Sequence, residues 1–332
     1  LRDATVTVGG AGLRIHATRD KASGVWAATA SAALSRGWFA GAMNASLNYS
    51  QWNTEANLYD AVVRSGRHVA LTARDDSKTM SIAAAAGWGA DSGFGGSFSL
   101  NEMSGTTKAG VTAATLDVLG DLTVDADHNA KIVSASGSYG GSDKFVFVVT
   151  AAWNRLNSVV GSSISASTVT CDADVLVNAR DRSEILSVTG AVSAYQGSGF
   201  GGAFALNELT QYVFAEINSS NIQSEGSVSV ESAITGKVQG YAVGVAGQEN
   251  VGLAGSLVIN RINSEVNTNV TDSQIVAFSD VILESKSKSF IHTFAGGFAG
   301  AGNSAVGAAV SLNEINAGVS TFVSESAMES RG

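Results

Sequence analysis

The 332-residue sequence contains no proline. At the usual frequency of about 5%, a chain of this length would carry roughly 16 prolines. The absence excludes collagen-like and proline-rich segments, because both depend on that residue. Glycine is plentiful, with 38 residues, so we expect glycine and small polar residues to make the turns.

Cysteine is almost as scarce. The single Cys171 cannot form an intrachain disulfide, which excludes a small fold held together by disulfide bonds. No histidine or cationic side chain lies near it in the sequence to activate the thiol. We therefore expect Cys171 to be a small buried residue of a strand.

Charged residues make up 15% of the chain, against a typical fraction of about 25%. Together with a hydrophobic fraction of 45%, this excludes intrinsic disorder. The net charge of −9 disfavours nucleic acid as a partner, since nucleic acids bind basic surfaces. No apolar stretch approaches the roughly 18 uninterrupted residues of a transmembrane helix, so we expect no membrane insertion.

What the sequence does contain is a long internal repeat. An asparagine recurs every 53 residues, with no insertion or deletion over five intervals. Apolar residues precede it by one position and follow it by ten and by fifteen, and the residue after it alternates between glutamate and arginine in the later units. Such periodicity is typical of solenoids. The repeat asparagines are Asn48, Asn101, Asn154, Asn207, Asn260 and Asn313.

Within each unit the hydrophobic pattern has a period of two, as in residues 226–232, which indicates half-buried strands rather than helices. The predicted strand centres lie 24–27 residues apart, so we divide each unit into two coils of three short strands. The prediction is one all-β domain over residues 1–332, a parallel β-solenoid that we expect to be a right-handed β-helix. We further expect it to be a fragment of a longer repetitive chain.

Three expectations follow from two coils per unit. About twelve coils spaced at about 4.8 Å would form a rod of about 60 Å. Repeat asparagines would lie about 10 Å apart, too far for direct bonding, so each would cap a turn through its own backbone. Direct salt bridges between Glu102, Arg155 and their successors are not expected for the same reason.

The solenoid also gives the missing proline a cause. Nearly every strand has a coil on both sides and must donate its main-chain N–H groups, which proline cannot do. Strand pairing does not explain why the turns also lack proline.

The segments VSLNEIN (residues 310–316), VFAEI (213–217) and GSVSV (226–230) resemble repeats of giant bacterial exoproteins. The resemblance is to filamentous-haemagglutinin-like adhesins and especially to leukotoxin-type filamentous adhesins, and it covers essentially the whole chain. It implies export, display as a long fibre at the bacterial cell surface or outside the cell, and contact with neighbouring repeats. It carries no catalytic residues.

Chemically active clusters are sparse in the sequence. Asp125-Ala126-Asp127-His128 is the nearest approach to a metal site, but it supplies too few oxygen ligands for calcium, and both aspartates should face outward on a strand. Asp75-Asp76 reads as a polar turn. The glycine-rich segment 93–96 has no lysine at the spacing of a phosphate-binding loop. We therefore predict no catalytic residue, no metal and no cofactor.

Five tryptophans could stack on sugars from outside, but for most of them we expect packing in the core or in a groove: Trp26, Trp38, Trp52, Trp88 and Trp153. The favoured function is a non-enzymatic stalk or filament segment of a secreted or surface-displayed adhesin, whose partners are its own repeats, further copies, or a host or cell-surface glycan or protein. The alternative is a β-helix protein that binds or cleaves polysaccharide, which would need clustered carboxylates, commonly on inserted loops.

Overall fold

The structure is a computed structural model that describes residues 1–20 and 24–332. All of its regular elements are strands, and they form three parallel sheets, which confirms the predicted all-β parallel solenoid. The chain winds from a short strand to two long strands and then to the next short strand. Each strand pairs with its equivalents in the preceding and following coils.

The short sheet contains seven strands, each of four residues: β1 (Thr5–Val8), β5 (Val62–Ser65), β8 (Thr115–Val118), β11 (Thr168–Cys171), β14 (Asn221–Ser224), β17 (Gln274–Ala277) and β20 (Ala327–Ser330). Long sheet I contains six strands: β4 (Phe39–Tyr59), β7 (Ser92–Thr112), β10 (Phe145–Ser165), β13 (Ser198–Asn218), β16 (Val251–Thr271) and β19 (Ser304–Ser324). Long sheet II contains β2 (Leu13–Arg19), β3 (Val25–Ser35), β6 (Val69–Gly89), β9 (Leu122–Gly141), β12 (Val175–Tyr195), β15 (Val228–Gln248) and β18 (Val281–Ala301).

One coil contains 53 residues, so the prediction of two coils per unit was wrong. Asn101 pairs in register with Asn154, and Val175 pairs with Val228, each across one interval of 53. The long strands continue for 21 residues through the glycine, serine and asparagine positions that had been taken as breaks. Small side chains do not end a strand when a second sheet lies close enough to cover them.

The overall dimensions change accordingly. Six stacked strands spaced at about 4.8 Å span about 29 Å along the axis, whereas a 21-residue strand spans about 69 Å across it. The expected rod of about 60 Å with twelve coils is therefore wrong, and this segment is wider than it is tall. The first coil departs from the strict 53-residue spacing, since Thr5 pairs with Val62 and Leu13 with Val69.

The cross-section is a wedge whose thick side lies at the short sheet. There the interior is filled by large aliphatic side chains such as Leu58, Leu71 and Ile164, all with 0 % exposure. Cys171 lies in this cluster with 1% exposure, as predicted, and burial raises the pKa of its thiol. This cluster runs through every coil and provides most of the apolar burial that stabilises the fold.

The opposite side is what we call the thin half: residues 39–47 of long sheet I, residues 80–88 of long sheet II and their equivalents in the other coils. Here the two long sheets approach so closely that a Cβ on Gly87 would overlap the carbonyl oxygen of Phe94. A Cβ on Gly95 would likewise overlap the carbonyl of Tyr139. The interior of the thin half consequently consists largely of glycine, alanine, serine and threonine.

The corners between the short sheet and long sheet I explain why turns also lack proline. Asp60, Ala113, Ala166, Ser219 and Asp272 have φ angles of 47–53°, a left-handed conformation that the proline ring cannot adopt. Their N–H groups also bond between coils: the Ala113 N–H, for example, donates to the Ser165 carbonyl at 3.0 Å. At these corners, as in the strands, both the geometry and the required donor exclude proline.

Candidate functional site

The six repeat asparagines form a continuous hydrogen-bonded ladder inside the solenoid. Each side-chain Nδ2 donates to the Oδ1 of the next asparagine, at distances of 2.7–2.9 Å. The expectation that these residues cannot bond one another is therefore wrong. It assumed two coils per interval, whereas a 53-residue coil places successive asparagines in adjacent strands, about 4.8 Å apart.

The ladder is buried, with exposures of 0–3 % from Asn48 to Asn260. The Asn101 amide donates additionally to the hydroxyls of Ser81 and Ser99, at 2.8 and 3.2 Å. An amide suits this position because it carries both a donor and an acceptor and can continue the chain in either direction. The asparagine column therefore holds coils together and leaves no group open to a ligand within the buried coils.

The alternating glutamates and arginines also meet, contrary to expectation. Arg155 lies 3.9 Å from Glu102, while Arg261 lies 3.6 Å from Glu208 and 3.3 Å from Glu314. They share one outward-facing row in adjacent coils, for the same geometric reason as the asparagines. Because these side chains are substantially exposed, each pair contributes little, about 0–1 kcal/mol.

A second ionic row lies on the outer face of long sheet II. Glu184 accepts a hydrogen bond from Lys131, one coil before, at 2.8 Å, and pairs with Lys237, one coil after, at 3.2 Å. Partial burial by itself would raise the pKa of Glu184, but the hydrogen bonds and charges of the two lysines outweigh it and hold that pKa below its ordinary value.

The predicted Asp125–His128 segment lies in β9 and does not converge on a metal. Asp125 and Asp127 face outward, as expected, whereas the His128 side chain points into the core. Arg182 donates to both carboxylate oxygens of Asp127, at 2.6 and 2.7 Å. Within residues 1–20 and 24–332, no three histidine, cysteine or acidic side chains form a group that could hold a metal ion.

The interior does contain an ionisable column that sequence reasoning missed. Arg19, Asp75, His128 and Asp181 pair in register on adjacent strands of long sheet II, and the last three are fully buried. The expectation that Asp75-Asp76 forms a polar turn is therefore wrong, because both lie inside β6. The 53-residue spacing of Asp75, His128 and Asp181 was the available signal.

The surroundings of this column are polar but closed. The Trp52 ring stacks on His128, with centroids 4.9 Å apart, and Gly105 provides the space for the indole. Asp181 accepts hydrogen bonds from Ser158 and Ser183. Burial raises the pKa of Asp75, while the Ser77 hydroxyl, His128 and Arg19 act in the opposite direction. An acid–base pair sealed in this way has no path for a substrate.

The remaining tryptophans lie outside. Trp26 and Trp38 are 67% and 76% exposed, Trp153 is partly exposed, and Trp88 packs against Tyr195 at 4.8 Å. Of the five tryptophans, only Trp52 packs in the core.

An open groove of about 640 Å³ lies on the outer face of long sheet I toward its last coils. Tyr212, Asn263, Glu265, Asn267 and Asn316 line it. Asn316 donates to Asn263 at 3.1 Å, and Asn267 donates to Glu265 at 2.9 Å. Amide, carboxylate and aromatic groups on one open surface are suited to contact a hydroxylated ligand.

No family model, no curated protein and no solved structure matches this chain, so any assignment of function depends on the geometry of the structure. A search of residues 1–20 and 24–332 for a helix long and apolar enough to cross a membrane finds none.

Proposed function

We propose that this chain is a non-enzymatic structural segment of a bacterial filament that is secreted or displayed at the cell surface. The observation that carries the proposal is the unbroken 53-residue register over successive coils, with the asparagine ladder inside it. A structural repeat needs the same cross-section in every coil, whereas a catalytic cleft generally interrupts it with inserted loops.

The distribution of reactive groups supports the same proposal. Asp75, His128 and Asp181 of the acid–base column are fully buried, and the outer carboxylates Glu184 and Asp127 are engaged by cations. A polysaccharide lyase or glycosidase would require free, clustered carboxylates around an accessible substrate position.

The dimensions refine the kind of structural element. A coil of 53 residues advances the axis by only about 4.8 Å, whereas the same residues in a helix would span about 80 Å. A thin spacer would reach a greater length with the same number of residues. The filament we propose is therefore a broad ribbon whose wide lateral faces are part of its function.

Solution scattering, extrapolated to zero concentration, on chains with two, four and six complete units tests this proposal. One dimension should grow by about 4.8 Å per added 53-residue unit, while the width of about 70 Å stays constant. Antibody labelling of intact and lysed cells tests surface display. A chain whose radius grows in all directions, or labelling that appears only after lysis, would contradict it.

A second candidate is polysaccharide binding at the groove around Tyr212, which is favoured by the amide, carboxylate and aromatic groups that line it. Retention on immobilised acidic and neutral polysaccharides tests this function. Tyr212→Ala should abolish retention, whereas Tyr241→Ala, on the other long sheet, serves as the matched control. Cleavage products that disappear in the Asp125→Asn/Asp127→Asn variant would instead establish an enzyme and refute the structural proposal.

A further inference from the structure

The thin half of the wedge has mostly small side chains inside and large apolar side chains outside. Its interior contains Ser81, Ser99 and Ser134 hydrogen-bonded across the two sheets, together with glycine and alanine. Its exterior carries the large apolar side chains, such as Met43 and Phe298, which are 76% and 57% exposed. Soluble proteins that function as monomers rarely expose a contiguous apolar patch of several hundred Å², so this arrangement indicates a covered surface.

Two opposite faces make up this exterior. Face I consists of the outward side chains of long sheet I in residues 39–47, 92–100, 145–153, 198–206, 251–259 and 304–312. Face II consists of those of long sheet II in residues 26–34, 80–88, 133–141, 186–194, 239–247 and 292–300. Among these described positions face I has no charged side chain and only three serines, while the polar groups of face II are Gln239, His292 and the hydroxyls of Tyr139 and Tyr241.

Each face is large enough for a stable contact between proteins. Nine residues of strand cover about 30 Å, and six strands cover about 29 Å, which gives roughly 870 Å² per face. A typical specific interface buries about 800 Å² on each partner.

The two faces also differ in relief. Phe94, Phe147 and Phe200 stack along face I with centroid distances of 5.9 and 5.2 Å and form a ridge. On face II, the row of Ala84, Gly137 and Gly190 is a trough over three coils, since a Cβ added at either glycine would meet nothing within 4 Å; Val243 bounds it in the next coil. Both run parallel to the solenoid axis with the same spacing between coils, so the ridge can lie in the trough.

We propose that face I of one chain packs on face II of a second, parallel copy of this chain. The contact joins two different surfaces, so each copy keeps one face free and further copies can add side by side. The polar halves of the long sheets, which hold the ionic rows, remain in water. This inference does not depend on the proposed surface display of the filament.

Two face variants and one control variant test the contact. The face I variant is Phe147→Lys/Phe200→Lys, and the face II variant is Val188→Lys/Val243→Lys; all four positions point outward, so the fold should persist. The control is Asn157→Lys/Thr210→Lys, which adds the same charges on β10 and β13 but in the polar half. Circular dichroism verifies the β structure of each protein.

Analytical ultracentrifugation across a concentration series provides the readout. The unsubstituted chain and the control should form progressively larger species. Each face variant alone should remain monomeric, with the dissociation constant raised roughly a hundredfold, because a lysine would be buried without a partner. An equimolar mixture of the two face variants should recover association but stop at the 1:1 dimer, since only one intact face I and one intact face II remain to meet.

Four other results would overturn the proposal. A monomeric unsubstituted chain would show that the faces do not join copies. If that monomer floats with phosphatidylcholine vesicles and the face variants do not, the faces contact hydrocarbon instead. Dimers of each face variant alone would mean that like faces pair. Undiminished association of both variants would place the contact at the open strand edges at the ends of the solenoid.

Discussion

Asn154 lies in the middle of the asparagine ladder, and its replacement by alanine tests the ladder's contribution to stability most directly. Its Oδ1 accepts a hydrogen bond from Asn101 at 2.7 Å, and its Nδ2 donates to Asn207 at 2.8 Å. Both neighbours are buried, with exposures of 1% and 0 %. The substitution therefore breaks two internal hydrogen bonds where water cannot replace them.

The magnitude follows from what each neighbour loses. A buried internal hydrogen bond contributes about 1 kcal/mol net, and an acceptor left unsatisfied costs about 1–3 kcal/mol. Asn101 keeps the hydroxyls of Ser81 and Ser99 as partners, whereas the Asn207 Oδ1 loses its ladder donor. We expect Asn154→Ala to reduce the free energy of unfolding by about 2–4 kcal/mol.

Guanidinium unfolding followed by far-UV circular dichroism measures this change. Asn157→Ala is the matched control, since Asn157 lies three residues further along β10 and faces outward; it should change stability by less than about 0.5 kcal/mol. Asn313→Ala, in the exposed last coil, should cost less than Asn154→Ala, because Asn260 keeps the Thr293 hydroxyl at 2.7 Å. Equal effects of Asn154→Ala and Asn157→Ala would refute the reasoning.

Asn154→Asp separates hydrogen bonding from side-chain volume. The carboxylate can still accept from Asn101 but cannot donate to Asn207, and burial raises its pKa. The variant should therefore be strongly destabilised at neutral pH and should recover stability as the pH falls and the carboxyl group gains a proton. A stability loss that does not change with pH would mean that the donor to Asn207 is unimportant.

Three further substitutions test other parts of the structure. Ala113→Gly should raise thermal stability, by about 0.5–1 kcal/mol, since alanine at a φ of 53° is strained, whereas Ala135→Gly in an extended strand should lower it. Glu184→Gln should lower stability at neutral pH. Because the two lysines hold the pKa of Glu184 below its ordinary value, its contribution is lost as the pH falls through the folded-state pKa, so urea unfolding of the two proteins should converge in acid. Val149→Pro, inside β10, should cost about 3 kcal/mol or more through the lost inter-coil donor, while Val149→Thr should fold normally.

Much of the fold could be predicted from local pattern. The alternation of apolar and polar residues in 226–232 predicts a half-buried strand. The exact recurrence of Asn48 through Asn313 predicts stacked, equivalent coils. The absence of proline predicts strands paired on both sides. These features depend on backbone chemistry and on spacing along the chain, so one sequence is sufficient to identify them.

The number of coils per unit could not be derived in this way. It depends on whether a strand continues through positions such as Gly95, Asn101 and Gly105, where local propensity favours a break. The second long sheet decides this, because it lies close enough to cover glycine and offers the serine hydroxyls and asparagine amides that satisfy Asn101. Neither the distance between sheets nor these partners can be read from the residues of one strand.

The sequence by itself thus determined the repeat, the parallel β-solenoid and the exclusion of proline from its strands, since each is a consequence of periodicity or of backbone hydrogen bonding. Only the tertiary structure decided which residues meet. Once a single coil contains 53 residues, residues in the same column of the repeat become hydrogen-bonded neighbours. This placement in adjacent strands joins the repeated asparagines into a ladder and places Asp75, His128 and Asp181 in one buried column. It also brings the apolar side chains of six coils together in two continuous faces.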